Sequence, residues 1–167
     1  SKPAETQIAD TVNANLQGTP TATPEPVKNR SGDYRHIVLE DDTAEITEYS
    51  GEDTELVIPS ELDGIPLTGL GEYAFAGCSL LGSITIPDGV TSIGWGAFKG
   101  CSDLTSVTIP DGVTSIKYQA FEGCSNLTNV TIPNSVTSIG YDAFDGCENL
   151  ASVNYIGTIA DWYRISF

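Results

Sequence analysis

Four cysteines, Cys78, Cys101, Cys124 and Cys147, follow one another at a constant interval of 23 residues. An even number of cysteines outside the cytosol usually favours disulfide chemistry. Here each cysteine occupies the same position of a repeated unit, so neighbouring thiols should lie about one strand spacing apart and point in parallel. The spacing of about 5 Å permits a bridge, but the parallel direction disfavours it. We therefore predict a buried column of free thiols that act as small apolar side chains.

Other catalytic or metal-binding chemistry would need partners that this sequence does not supply. His36 is the single histidine, no Cys-x-x-Cys pair occurs, and no calcium-loop pattern is present. A nucleophilic site needs a base beside a serine or cysteine, and nothing in the sequence places such a residue beside His36. We expect no catalytic residue, no metal site and no cofactor, and a hydrolase would have only His36 to work with.

Three exposed aromatic residues share a second recurring position. Trp95, Tyr118 and Tyr141 are again 23 residues apart, and Glu72 holds the equivalent place one unit earlier. Aligned aromatic side chains can stack on sugar rings or anchor a protein partner. They can also simply cover the edge of the structure. We name these three residues the aromatic column and treat them as candidate partner-binding residues.

A second candidate surface is made of small polar residues that alternate with apolar ones along short strands. Alternation at period two turns the polar side chains outward when the apolar ones face the core. The surface is either a recognition face or a set of solubilising strand formers. We name it the polar ladder, and its candidate residues are Ser83, Thr85, Ser106, Thr108, Asn129 and Thr131.

Both surfaces depend on one unit of 23 residues that is repeated from about residue 67. In one copy, Val107 and Ile109 point inward from a strand, Pro110 ends that strand because it lacks an N–H, and Ala120 with Phe121 closes the coil on a short helical turn. A single coil buries too little apolar surface to fold alone, whereas stacked coils share a core. The period predicts a β-rich, right-handed leucine-rich-repeat solenoid.

The ends of such a stack need covers, because they expose apolar core and unpaired strand edges. We predict a β-hairpin at the N-terminal end and expect Trp162 and Ile165 to lie over the C-terminal end. The predicted segments are a Thr/Pro-rich stalk or linker over residues 1–32, an N-terminal cap hairpin with a first irregular coil over 33–66, the 23-residue repeats over 67–153, and a C-terminal cap over 154–167.

The charge of the chain restricts its partners. The formal net charge is −16, and the acidic residues are concentrated between residues 33 and 63, where Arg35 is the single arginine or lysine. Such a field repels phosphate backbones and anionic lipids, so we expect neither nucleic acid nor a membrane surface as a partner. The acidic face either keeps the protein soluble or meets a basic partner. No apolar run is long enough for a membrane span, so direct membrane insertion is not expected.

The repeated unit Leu-x-x-Val-x-Ile-Pro-x-x-Val-x-x-Ile-x-x-x-Ala-Phe-x-Gly-Cys resembles the BspA-like leucine-rich repeats, a bacterial class with 23 residues per repeat. The ending from Tyr155 to Trp162 also resembles the closing motif of such proteins. The resemblance covers about residues 34–165. It differs from the better-known leucine-rich pattern, because Gly89, Gly112 and Ser135 stand where that pattern has Asn or Cys.

This resemblance implies a non-enzymatic protein that is secreted or held at a bacterial surface and mediates protein–protein interaction or adhesion. A lipid anchor upstream of residue 1 would be one route of attachment. It implies no catalytic residues, since the family shares none. Two alternatives stay open: a carbohydrate-binding module that uses the aromatic column, and a structural spacer of a larger surface protein.

Overall fold

The computed structural model describes residues 28–167. Residues 1–27, the greater part of the predicted stalk, lie outside the described residues, and the last residues of that segment form a strand instead. The elements in chain order are β1 (Lys28–Ser31), β2 (Tyr34–Val38), β3 (Ala44–Tyr49), β4 (Glu55–Val57), β5 (Glu61–Leu62), β6 (Ile65–Leu70), β7 (Ser83–Thr85), β8 (Ser92–Ile93), β9 (Ser106–Thr108), β10 (Ser115–Ile116), β11 (Asn129–Pro133), β12 (Ser138–Ile139), β13 (Ser152–Ile156) and α1 (Ile159–Trp162).

Each repeat contributes one strand to each of two sheets, and this arrangement confirms the predicted solenoid. The first sheet has the order β13-β11-β9-β7-β4, with neighbouring strands parallel. The second sheet has the order β1-β2-β3-β6-β8-β10-β12, with β5 paired to β6. Parallel pairing in register places each residue beside its equivalent in the next coil, which is why stripes of identical positions form on the surface.

The alternation predicted for the strands of the first sheet is confirmed. In β9, Val107 is buried between exposed Ser106 and Thr108, and Ile109 is buried just beyond the strand. A second short strand, β10, then presents Ile116 to the same core. The strands β8, β10 and β12 of this second sheet were not predicted, because strands of two residues are too short to show alternation.

Phenylalanine rings form the centre of the core, stacked from coil to coil. The ring centroids of Phe75 and Phe98 are 5.2 Å apart, those of Phe98 and Phe121 also 5.2 Å, and those of Phe121 and Phe144 5.4 Å. Phe75, Phe98 and Phe121 are fully buried. Each ring thus buries apolar surface that no single coil could cover, so the coils stabilise one another.

The short helical turn expected near Ala120 and Phe121 does not form. Gln119 and Gly123 have positive φ values of 56° and 73°, which a right-handed helix does not accept. The N–H groups instead alternate between local turns and the next coil: that of Phe121 donates to the Ala143 carbonyl oxygen (2.8 Å), while that of Glu122 donates to Gln119 (3.1 Å). Backbone hydrogen bonds between neighbouring coils therefore continue through the turns.

The N-terminal end carries the predicted hairpin. Strands β2 and β3 pair antiparallel, β1 pairs with β2, and β3 joins β6 in parallel, so the hairpin extends the second sheet beyond the repeats. Tyr49 stacks on Phe75 with 5.3 Å between ring centroids, and Tyr34 lies 5.2 Å from Tyr49. Tyrosine rings thus cover the N-terminal end of the phenylalanine stack.

The C-terminal end is covered by fewer side chains. Helix α1 begins with a capping box in which Thr158 and Asp161 bond each other's backbone N–H groups. Ile165 is buried and Trp162 is partly buried against the core, as expected, while Val153 at this end remains 42% exposed. A groove of about 400 Å³ remains beside Phe144 and Trp162.

Candidate binding face

The structure places the polar ladder on adjacent strands of the first sheet. Its residues lie on β7, β9 and β11, where Ser83 pairs with Ser106 and Ser106 with Asn129. Asn129 Nδ2 donates to Ser152 Oγ in the next strand (2.8 Å). The ladder is therefore a uniform wall of small polar groups, with Val57 and Glu55 on β4 at its N-terminal edge.

The aromatic column lies on another wall of the coil, where the chain leaves the second sheet. Trp95, Tyr118 and Tyr141 each follow a short strand by two residues and are 52%, 40% and 76% exposed. Neighbouring ring centroids are 6.5 Å apart, edge-on between Trp95 and Tyr118 and nearly parallel, at 7°, between Tyr118 and Tyr141. The structure thus brings the three aromatic residues together but keeps them apart from the polar ladder. We call this wall the turn face and define it as residues 71–79, 94–102, 117–125 and 140–148.

Tyr73 is an exposed aromatic residue of the turn face that the sequence analysis did not select. It is 49% exposed, has a φ of 55°, and its ring lies where a Cβ on Gly96 would be. Gly96 therefore serves two purposes: it accepts its own positive φ of 57° and leaves room for the ring. Alignment of the repeats could have found this residue, because the equivalent position holds a different residue in each repeat: Tyr73, Gly96, Gln119 and Asp142.

The turn face also carries every lysine of the repeats. Between residues 67 and 153 the basic residues are Lys99 and Lys117 alone. Lys99 Nζ lies 2.8 Å from Glu122 and donates to Gln119 Oε1 (3.1 Å), and the hydrogen bond with Glu122 raises the pKa of Lys99. Lys117 makes no ion pair with another described residue.

Beside the column lies a groove of about 430 Å³ at the N-terminal end of the turn face. Glu45, Glu72, Trp95 and Lys117 line it, with Ser92 and Gly94 among the residues of its wall. Strand β3 brings Glu45 to this place, because Glu45 pairs with Gly69 of β6 and Gly69 with Ser92 of β8. The sequence analysis did not select Glu45, since nothing in the repeat pattern shows which strand will lie beside β6.

The carboxylate of Glu45 is held over two glycines. A Cβ added at Gly69 would come within 2.9 Å of Glu45 Cγ and Oε2, and one at Gly71 within 3.0 Å of Oε1. Burial and the nearby charge of Glu72 raise the pKa of Glu45 above its usual range. Farther along the face, desolvation and the charges of Asp145 and Glu122 likewise raise the pKa of Asp142. The turn face is therefore a mixed surface of aromatic rings and carboxylates.

The cysteines lie within the segments of the turn face but serve the scaffold. All four are free thiols, with Cys101 and Cys124 buried and Cys78 and Cys147 partly exposed at the ends of the column. The Cys124 thiol donates to the Phe98 carbonyl oxygen (3.2 Å), and Cys101 and Cys147 make the same bond one coil before and after. Each of these three thiols thus adds a hydrogen bond between neighbouring coils.

The remaining polar candidates lie elsewhere. His36 is fully buried in β2, with Nε2 3.6 Å from Asp63 Oδ2. Within residues 28–167, no cluster of three or more histidine, cysteine, aspartate or glutamate side chains is arranged to hold a metal ion. No helix in this part of the chain has the length and apolarity to cross a membrane.

Stacked parallel coils, a phenylalanine core and one variable turn face define a leucine-rich-repeat protein. The chain belongs to the BspA type leucine rich repeat family, whose pattern matches residues 49–167 in 6 copies. These copies include residues 49–66 and 154–167, which the sequence analysis assigned to the caps. No curated protein matches the chain significantly.

Several bacterial crystal structures share the fold. A leucine-rich-repeat protein of T. pallidum is 33% identical, with a TM-score of 0.69 over 80% of this chain and 66% of its own. A leucine rich cell surface protein of Faecalibacterium prausnitzii is 27% identical, with a TM-score of 0.67 over 83% of this chain and 42% of its own. A leucine-rich repeat protein from Bacteroides capillosus is 28% identical, with a TM-score of 0.67 over 78% and 99%. The chain therefore spans less than two thirds of the first two proteins.

Proposed function

We propose that this protein is a bacterial surface or secreted binding module that attaches to a protein partner through the turn face. The observation that carries the proposal is the exposed aromatic column with Tyr73 beside it. Exposed aromatic side chains with few rotatable bonds are the anchors from which protein interfaces gain most of their affinity. The polar ladder, by contrast, offers small side chains that are depleted among such anchors.

The distribution of variation supports the same face. Core positions and strand positions repeat from coil to coil, whereas equivalent positions of the turn face differ. Glu72 stands where the next repeat has Trp95, and Lys117 stands where the other repeats have Gly71, Gly94 and Gly140. A scaffold needs the repeated residues, so departures from the repeat identify positions that the scaffold does not dictate. In this proposal the module acts by binding, without catalysis. A location outside the cell agrees with the similarity to the Faecalibacterium protein, which is a leucine rich cell surface protein.

Glycan binding is a second candidate, and one observation favours it. The rings of Tyr118 and Tyr141 are nearly parallel and both are exposed, so together they offer an aromatic platform of the kind that stacks on sugar rings. Carboxylates such as Asp142, next to that platform, could accept hydrogen bonds from sugar hydroxyl groups.

The test compares variants of the two walls against immobilised extracellular proteins and a glycan array. Tyr141→Ala removes a side chain that is 76% exposed and should leave the fold intact, and Thr108→Lys disturbs the polar ladder to a similar extent. We expect a bound protein partner to lose at least about tenfold in affinity with Tyr141→Ala and little with Thr108→Lys. The opposite order would assign binding to the ladder, and binding of glycans alone would favour the second candidate. Wild-type protein that binds nothing on either panel would favour a structural spacer.

A further inference from the structure

We propose that the groove between Glu45, Glu72 and Trp95 accepts an arginine side chain of the partner. The inference rests on the proposed function, since it specifies which chemical group of a protein partner the turn face would recognise. It starts from the environment of Glu45, whose carboxylate is partly buried and makes no hydrogen bond or ion pair with any other residue of the range 28–167.

A carboxylate in that position is costly to the folded protein. Burial removes water from it, and the like charge of Glu72 adds repulsion, so the ionised form gains no compensating contact within residues 28–167. Lys117 lines the same groove but forms no ion pair with either carboxylate, because it follows β10, and β6 and β8 separate that strand from the strand of Glu45. Two carboxylates that line one groove and have no ion-pair partner among residues 28–167 are complementary to a cation.

Room for the Glu45 carboxylate is built into the backbone. The Glu45 side chain lies against Gly69 and Gly71, and a Cβ at either position would clash with it. The groove of about 430 Å³ is of the size that small ligand groups occupy, and it opens to solvent along the turn face.

Trp95 decides in favour of arginine over other cations. The indole lines the same groove and is 52% exposed, so its face is available for stacking. A guanidinium group stacks on aromatic rings and donates two parallel hydrogen bonds to a carboxylate, which an ammonium group cannot do in the same planar way. The net charge of −16 would in addition draw a basic partner towards the protein.

Indole resonances provide a direct test. The chain has two tryptophans, Trp95 in the groove and Trp162 at the C-terminal end, so ¹⁵N–¹H spectra of the full chain contain two indole signals that Trp95→Phe assigns. The probes are three blocked tripeptides: acetyl-Gly-Arg-Gly-amide, its lysine counterpart, and its citrulline counterpart, in which a neutral urea replaces the guanidinium.

We expect the arginine peptide to shift the Trp95 indole saturably and to leave that of Trp162 unchanged. The citrulline peptide should bind at least about tenfold more weakly, and the lysine peptide with intermediate affinity. Glu45→Gln and Glu72→Gln should each weaken the arginine peptide several-fold, while Glu148→Gln, an exposed acid on the same face of the last repeat, should change its affinity less than twofold.

Three results would overturn the inference: equal binding of arginine and citrulline peptides, equal losses for Glu148→Gln and Glu45→Gln, or parallel shifts of both indoles. Loss of a protein partner in Tyr141→Ala together with equal arginine and citrulline binding would remove this inference and leave the proposed function in place. Selective binding of the arginine peptide, with no protein partner found on the panel, would support the arginine groove and leave the proposed function without support.

Discussion

Phe121→Ala tests the physical basis of the fold most directly. Phe121 is fully buried, and its ring lies between those of Phe98 and Phe144. Truncation to alanine removes the ring from the middle of the phenylalanine stack and leaves a cavity in the core.

The magnitude follows from the surroundings of the cavity. Phenylalanine-to-alanine substitutions in cores cost about 3–5 kcal/mol, and the cost is highest where neighbours cannot collapse into the space. Here the backbone on both sides is held by ladder bonds, from the Phe98 N–H to Ala120 and from the Phe121 N–H to Ala143, each 2.8 Å. Two stacking contacts are lost as well, and each contributes about 0.5–1.5 kcal/mol. We therefore expect a loss of about 4 kcal/mol in the free energy of unfolding.

The assay is urea denaturation, followed by circular dichroism and by tryptophan fluorescence, with the free energy taken from the midpoint and slope. Phe144→Ala is the matched control, since Phe144 is partly exposed and stacks on one buried ring only. We expect it to cost about 2 kcal/mol, roughly half as much. A loss below about 1 kcal/mol for Phe121→Ala, or equal losses for both variants, would refute the argument that the stack stabilises the coils.

Three further predictions concern the groove, the glycines and the thiols. Folding raises the pKa of Glu45 above its ordinary value of 4.5, so this group stabilises the folded protein below pH 4.5, and the stabilisation is lost as pH rises through the folded-state pKa. The free energy of unfolding of Glu45→Gln should therefore exceed that of wild type at pH 7 and equal it near pH 4. A variant that is less stable than wild type at pH 7 would contradict the unpaired carboxylate. Gly140→Ala would place a Cβ 2.5 Å from the Tyr118 backbone nitrogen, so thermal melts should show a loss of roughly 1–3 kcal/mol, whereas Gly82→Ala, with its nearest atom at 3.3 Å, should lose less than about 1 kcal/mol. Thiol titration after denaturation under non-reducing conditions should find four free thiols, and a smaller number would show that neighbouring coils are bridged.

The scaffold could be predicted from the sequence because each coil repeats the same local chemistry. Val107 and Ile109 alternate with polar residues, so their inward direction follows from strand geometry alone. Every unit has a phenylalanine at the position of Phe121, and this recurrence implies a stack of rings, because parallel coils in register place equivalent residues side by side. The aromatic column was predicted by the same reasoning, and the structure brings its members together at 6.5 Å.

The candidate groove could not be predicted, since it depends on contacts that lie outside the repeat. Glu45 belongs to the hairpin, and only the parallel pairing of β3 with β6 brings its carboxylate above Gly69. The turns were also mispredicted for a physical reason: residues such as Gln119 adopt positive φ because their N–H groups bond the next coil, a tertiary contact that local helix preference does not contain.

The sequence by itself therefore determined the repeat, the inward residues and the alignment of equivalent positions, because a 23-residue period imposes the same geometry on every copy. Tertiary structure decided what lies beside the first repeat: the tyrosines that cover the phenylalanine stack, and the meeting of Glu45 and Glu72 with Trp95. These features arise where non-identical segments pair, and the energy that selects such pairing comes from burial and hydrogen bonding across the assembled stack.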